Sequence, residues 1–212
     1  MKKQVIITAL ILTLFAATGG SLVSYTQQST AAQIYANDKM TLMLSLNSLL
    51  PPDQYDNDLT SSVITIKANK TLGTKKVTNA YFATKNNQPV AFIFNAIANN
   101  GYNGKIYLLI GIYTDGSIAG VRVVKHKETP GLGDGIDEKR SRWILNFNQH
   151  SLSSLNEKQW KVKRDGGHFD QFTGATITPR AVVKAVHNSL LFYQQHKTEL
   201  LQSITNPVNT KE

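Results

Sequence analysis

The chain contains no cysteine among its 212 residues. Disulfides, thiolate zinc sites and cysteine-ligated iron–sulfur clusters are therefore excluded, and any redox chemistry must use an organic cofactor or a histidine-bound metal. Histidine is scarce too. His126, His150, His168, His187 and His196 show no HExxH or other zinc spacing, so no metal is expected. P-loop and Rossmann glycine patterns are missing, as are a Ser–His–Asp set and paired carboxylates. No catalytic side chain is therefore expected beyond a bound cofactor.

Acidic residues are in the minority, 14 against 23 basic, for a formal charge of +9. Without Lys2 and Lys3 the remainder carries 21 basic and 14 acidic residues, a net of +7. The cations are scattered, with no run of five or six and no aromatic RNA-type motif. That pattern fits a solvated basic surface near anionic lipid and argues against a nucleic-acid partner. Hydrophobic content of 41% and charged content of 17% are those of an ordinary folded domain, so disorder of the whole chain is excluded.

One long stretch lacks charge altogether. Val5 to Val23 reads VIITALILTLFAATGGSLV, 19 residues that would span about 28 Å as a helix. Lys2 and Lys3 precede it and no basic residue follows until Lys39. The positive-inside rule then puts the N-terminus in the cytoplasm and the rest outside it. Residues 1–28 are expected to be a single-pass anchor in the inner membrane, with a periplasmic C-terminal domain. The competing reading is a cleaved signal peptide with Ser29-Thr30-Ala31 as the cleavage site, although its apolar run exceeds the usual ~7–15 residues. Both readings export the domain.

From Gln33 to Leu50 apolar residues recur at helical spacing (Ile34, Leu42, Met43, Leu46, Leu49, Leu50) and stop at Pro51-Pro52. Residues 29–60 are expected to form a stalk helix, partly packed on the domain, and a linker. Strand patterns follow at Ser62–Lys67, Ala80–Thr84, Val90–Asn95, Lys105–Tyr113 and Ile118–Lys125. Asn86-Asn87-Gln88 and the Asp-Gly of Thr114–Ser117 mark hairpins. A short helix is expected over Ile136–Asn146, with Trp143, Ile144 and Phe147 on one side. A strand is expected at Trp160–Val162 and a long helix from Pro179 to about Leu201. The order of elements predicts an α+β domain over 61–203 with mainly antiparallel sheet, followed by a loose tail at 204–212.

The stretch Asp170-Gln171-Phe172-Thr173-Gly174-Ala175-Thr176-Ile177-Thr178-Pro179 carries the chemistry. Thr178 suits an N-cap and Pro179 a first helical position. Val182, Val183, Val186 and Leu190 then supply a buried face. Thr176 would stand just ahead of a helix N-terminus, where free N–H groups and the helix dipole favour an anion. Gly174 and Ala175 leave bare backbone for the close approach of something bulky, and Arg180 is placed to face the same anion. Local physics alone favours the plainer reading, a strand–turn–helix junction with capping threonines.

The string DQFTGAT resembles the flavinylation signature Asp-x-x-Ser/Thr-Gly-Ala-Ser/Thr of the FMN-binding domain family. His126-Lys127-Glu128-Thr129-Pro130-Gly131-Leu132-Gly133 is similar to that family's HxETPGLG loop, and Gly101-Tyr102-Asn103-Gly104 to its GYxG turn. With the anchor and WKVKRDGG at Trp160–Gly167, the resemblance covers nearly the whole chain. It is strongest to the G subunits of Rnf/Rsx-type electron transport complexes, with the corresponding subunit of sodium-pumping NADH:quinone reductase as the nearest alternative. The resemblance implies one covalent FMN per chain, esterified through its phosphate to Thr176. Thr173, Gly174, Ala175 and Asp170 would surround the attachment point. Glu128, Thr129, Leu132 and Gly133 would lie against the ring, with Tyr102 stacking and Lys163 (or Lys161) reaching the phosphate or ring. It further implies partners among the complex's other membrane subunits and a magnesium-dependent FMN transferase for maturation. The expected role is electron relay in a translocase of ferredoxin/NAD type, or in reduction of a redox-sensing partner, with no catalysis by the chain alone. A membrane-anchored sensor would need a signalling domain and a flavin reductase a nucleotide-binding domain. The chain is too short to hold either.

Overall fold

The computed structural model describes residues 2–205, so residues 206–212 of the expected tail lie outside the described residues. The first element is helix α1, Lys2–Leu49. It has no break between the expected anchor and stalk, because no proline or turn signal interrupts it before Pro51. The chain divides into two compact units after Leu42.

In the first unit the segment Lys2–Ala31 contains an 18-residue window with a mean hydropathy of 2.1, wholly unburied, and the segment is long and apolar enough to cross a membrane. Its threonines carry hydroxyls that apolar surroundings would penalise. Thr8, Thr13, Thr18 and Thr26 each donate instead to the carbonyl four residues earlier, at 2.8–3.0 Å.

The second unit is built on a five-stranded antiparallel meander. Its strands are β1 (Val63–Ile66), β2 (Thr78–Lys85), β3 (Gln88–Gly101), β4 (Gly104–Tyr113) and β5 (Ile118–Lys125), in spatial order β1-β2-β3-β4-β5. Each hairpin has the chemistry its turn needs. Asn86 and Asn87 both take positive φ (51° and 61°), as a two-residue mirror-image turn requires and as asparagine tolerates. At the β4–β5 turn the Asp115 carboxylate accepts the Ser117 N–H and hydroxyl at 2.8 and 2.7 Å. β3 runs six residues past Asn95, so the GYNG block becomes the tip of the β3–β4 hairpin.

Period-two alternation separates the two sheet faces. On one face Phe92, Phe94, Ile106, Leu108, Ile110 and Ile112 are almost wholly buried beneath helix α2, Ile177–Thr205. Phe92 meets Tyr193 at 5.8 Å between ring centroids, and Phe94 meets Phe192 edge-on at 5.6 Å. Val182, Val183, Val186 and Leu190 are buried as their spacing predicts. On the other face the last turns of α1 bury Leu46, Leu49 and Leu50. Gly120 permits this approach, since a Cβ there would stand 3.1 Å from Leu49 Cδ2. Arg122 on β5 fastens the junction by donating to the Ser48 carbonyl at 2.6 Å. Its Nε also lies 2.7 Å from Glu138 Oε2, an ion pair without hydrogen-bond alignment.

Three expected elements differ. Over 136–146 there is no continuous helix. Tight 3-10 turns at Gly133–Ile136 and Trp143–Phe147 flank an irregular bend, yet Trp143, Ile144 and Phe147 are buried as predicted. Trp160–Val162 is not a strand, because only Val162 makes a single bridge, to Phe169. Trp160 is instead buried in the core, stacked on His187 of α2, as Trp143 is buried against Phe147 and Phe172. Finally, α2 starts at Ile177, two residues before Pro179, and continues through Thr205.

Candidate functional site

The early start of α2 changes the roles of its threonines. The Thr176 carbonyl accepts the Arg180 N–H at 3.4 Å, so Thr176 occupies the N-cap position expected for Thr178. Thr178 lies inside the first turn, wholly buried, and its hydroxyl donates to the Glu128 carboxylate. Pro179 at the third helical position lacks an N–H where one would have no intrahelical partner, so it costs the helix no hydrogen bond.

Ahead of the helix, Phe172-Thr173-Gly174-Ala175 closes a β-turn, with the Ala175 N–H donating to the Phe172 carbonyl at 3.2 Å. Gly174 takes φ +80° at the third turn position, where a side chain would be strained. It also sits beside the second loop, since a Cβ there would lie 3.4 Å from Leu132 Cδ2. The two blocks, far apart in sequence, are thus in contact.

Glu128 holds the arrangement together. It is 4% exposed, and its carboxylate accepts the Tyr102 and Asn103 N–H groups at 3.2 and 3.0 Å as well as the Thr178 hydroxyl. One buried carboxylate therefore joins the β3–β4 hairpin tip, the 126–133 loop and the head of α2. His126 accepts the Glu128 N–H through Nδ1 at 3.1 Å, and Asn103 Nδ2 donates to the Thr129 hydroxyl at 3.0 Å. Gly133 packs so closely that a Cβ would stand 3.0 Å from both Glu128 Cβ and the Thr178 hydroxyl.

Between these parts lies a cleft of about 460 Å³ lined by Tyr102, Glu128, Thr129, Leu132, Gly133, Arg164, Gly174, Ala175, Thr176, Ile177, Thr178 and Arg180. Its rim is apolar and open to solvent, with Tyr102 67%, Leu132 48% and Ile177 46% exposed. Two exposed arginines, Arg164 and Arg180, also line the cleft. Arg164 Nη1 stands 3.4 Å from the Thr176 hydroxyl, at the weak limit of hydrogen bonding. Arg180 is held by two 2.5 Å hydrogen bonds to Asp165, whose carboxyl they keep below the usual carboxylate range.

The expected residues divide accordingly. Tyr102, Glu128, Thr129, Leu132, Gly133, Gly174, Ala175 and Thr176 line one cleft. Asp170 and Lys163 do not line it but form an exposed ion pair with each other at 2.7 Å, and Thr173 is exposed on the turn. Lys161 lines a different cavity, near Trp160 and His187. Arg164, Ile177 and Thr178 were not anticipated as lining residues. Reading Trp160–Val162 as a strand favours Lys161 and Lys163 over Arg164, whereas the 3-10 turn Lys163–Asp165 re-aims the chain. Among the described residues no cluster of three or more metal-ligating side chains occurs.

These residues fit a flavin mononucleotide. A phosphate would meet Thr176, Arg164 and the free N–H groups of α2, and a ring would meet Leu132, Tyr102 and Ile177. The FMN-binding domain family model matches residues 101–191, and the RnfG N-terminal region model matches residues 1–49. Similar proteins include the G subunit of the ion-translocating oxidoreductase complex of Pseudoalteromonas atlantica, 44% identical over 203 residues (96% of this chain and 94% of that one). Those of Vibrio cholerae (46% over 191 residues, 90% and 91%) and Shewanella oneidensis (43% over 206 residues, 97% and 97%) carry the same description.

The chain belongs to the family of G subunits of ion-translocating oxidoreductase complexes.

Every residue lining the cleft, from Tyr102 to Arg180, falls inside the FMN-binding domain match. The match to the family's N-terminal region ends at residue 49, the last residue of α1.

Proposed function

We propose that the chain is the flavin-carrying electron-transfer subunit of an ion-translocating redox complex, with one FMN joined through its phosphate to the Thr176 hydroxyl. The observation that carries this reading is the position of Thr176. Its hydroxyl opens α2 and lines the cleft whose exposed Leu132, Tyr102 and Ile177 offer apolar contact, with Arg164 beside it.

When bound, the flavin supplies the one- and two-electron chemistry that no side chain here provides. The chain's residues bind and orient it. Arg164, in no salt bridge among the described residues, and the free N–H groups of α2 neutralise the phosphate. Arg180 acts as half of a neutral pair with Asp165 beside the cleft. Leu132, Tyr102 and Ile177 exclude water from the ring, and Gly174 keeps a side chain out of its path. Glu128 and Gly133 hold the loop in register with the helix rather than touching the cofactor's reactive edge. A tethered carrier cannot dissociate, which suits relay between fixed partners.

Attachment forms one bond, from Thr176 Oγ1 to the flavin-side phosphorus of FAD, and breaks the pyrophosphate bond. AMP leaves with the electron pair, and the hydroxyl proton passes to solvent. A magnesium-dependent transferase performs this step, and the exposed Asp170 and Thr173 are available to it. The other membrane subunits of the complex donate and accept the electrons, in a ferredoxin/NAD couple or in reduction of a redox-sensing partner. The apolar part of α1 anchors the chain in the inner membrane with the second unit in the periplasm.

The test is co-expression with the transferase. Flavin fluorescence should remain on the protein in a denaturing gel, and the intact mass should rise by one FMN phosphoester. Thr176→Ala should abolish both in a folded protein, whereas Thr173→Ala should retain attachment. Fluorescence persisting in Thr176→Ala would place the bond elsewhere.

A further inference from the structure

The sheet face opposite α2 is only partly covered. The last turns of α1 lie over Gly120, but further along the strands Ile97, Tyr107 and Val124 border an open hollow of about 600 Å³. In the strand register Ile97 pairs with Tyr107 and Tyr107 with Lys125, so the three share one surface. Val77 (63% exposed), Val124 (57%) and Tyr107 (38%) present apolar area to solvent. Around them stand Lys75, Lys76, Lys105 and Lys125, all exposed, and no carboxylate lines the hollow.

Elsewhere in this unit several cations have partners: Arg122 faces Glu138, Lys163 faces Asp170 and Arg180 faces Asp165. None of these four lysines is in a salt bridge among the described residues. Four like charges around exposed apolar side chains repel one another until an anionic surface neutralises them. The chemistry of the cation selects between surfaces. Protein interfaces are depleted in lysine and enriched in arginine, whose fork reads geometry, whereas lipid headgroups need only a point charge. Lysines interleaved with aliphatic side chains and a tyrosine match the headgroup–acyl boundary.

We propose that this face is a docking surface for the anionic phospholipid headgroups of the membrane. The proposal rests on the reading of α1 as an anchor, which keeps the second unit beside a bilayer. Tyr107, Val77 and Val124 enter the boundary layer while the lysines contact phosphates. Docking through this face would hold the second unit in a fixed attitude to the bilayer.

The absence of cysteine permits a clean test. The full chain with Val124→Cys, labelled with an environment-sensitive fluorophore, is reconstituted into nanodiscs of phosphatidylcholine alone or mixed with phosphatidylglycerol. Flotation is scored on the same samples. The expected result is flotation in both and a blue-shifted label only with phosphatidylglycerol, reversed by raising the salt. Each lysine replaced by glutamine (Lys75→Gln, Lys76→Gln, Lys105→Gln, Lys125→Gln) should lower the ratio of docked to undocked molecules about fivefold. The salt titration keeps the test valid if a substituted chain folds poorly. Flotation with an unshifted label would overturn docking and leave the anchor standing. Flotation only with phosphatidylglycerol would support docking and sink the anchor, and flotation with neither would sink both. A shift seen only in native membranes containing the other subunits would assign the face to a protein partner and overturn the proposal.

Discussion

Replacing Glu128 by alanine removes the one acceptor that three parts of the site share. Its carboxylate serves the Tyr102 and Asn103 N–H groups and the Thr178 hydroxyl. Those donors differ in what replaces it. Tyr102 and Asn103 sit at an exposed hairpin tip, so water can take over and each lost bond costs about 0.5–1.5 kcal/mol. Thr178 is wholly buried, and its orphaned hydroxyl costs about 1–3 kcal/mol. The losses share one side chain and do not add fully, so Glu128→Ala should destabilise the second unit by about 3 kcal/mol. The assay is urea denaturation of the full chain in detergent, following tryptophan fluorescence, with the slope held constant. Glu128→Gln keeps an acceptor but turns an amide N–H₂ toward a donor, and should fall between alanine and wild type. The decisive variant is Glu128→Ala with Thr178→Val. Removing both partners of a buried bond is far milder than removing one, so the double variant should recover about 1–2 kcal/mol. A Glu128→Ala chain within about 0.5 kcal/mol of wild type, the scatter of an ordinary surface substitution, would refute the reasoning. Glu128 would then be free to act on the cofactor.

Leu132→Ala should load flavin normally, because it leaves Thr176 and Arg164 untouched, but with a shifted absorption spectrum and redox potential. A titration that superimposes on wild type would show that the loop does not touch the ring. Burial against Trp160, stacked at 5.4 Å, lowers the His187 pKa. The unfolded chain therefore binds more protons below about pH 6.5, and stability should rise as pH goes from about 5 to 7. His187→Asn should flatten that rise, and an unchanged slope would remove His187 as its source. A C-terminal alkaline phosphatase fusion should be active and a cytoplasmic fluorescent reporter dark, the reverse pattern arguing against export.

Turn chemistry made the meander legible. Asn86-Asn87 and Asp115-Gly116 can adopt the backbone that hairpins require, and alternation in the flanking segments then sets which side is buried. The far end of β3 was not legible. Asn99 and Asn100 disfavour a strand locally and fall in an irregularity between Ala98 and Gly101. The pairing of Ala98 with Ile106 and of Gly101 with Gly104, together with Asn99 donating to the Gly73 carbonyl, carries the strand through them. Trp160–Val162 misled for the opposite reason. Two large apolar residues flanking a lysine imitate a strand, yet each is buried against α2 or Phe169 from an irregular loop. In the site, threonines two residues apart both suited the cap, and tertiary structure chose between them. Glu128 claims the Thr178 hydroxyl, leaving Thr176 at the helix head. That claim joins residues 50 apart, and no local pattern encodes it.

Arg122 and the leucines at the end of α1 set where the folded unit begins. The two prolines at 51–52 look like a natural place to cut the chain when a water-soluble form is wanted. Cutting there would remove Leu46, Leu49 and Leu50 from the sheet and uncover the backbone at Gly120. Arg122 would also lose its Ser48 acceptor while still half-buried beside Glu138. A soluble form that begins near Met43 keeps all of these contacts and discards the first unit, with the apolar segment in it. The helix thus carries two tasks with a boundary inside it, and truncation will succeed or fail on which side of Leu46 the new terminus falls.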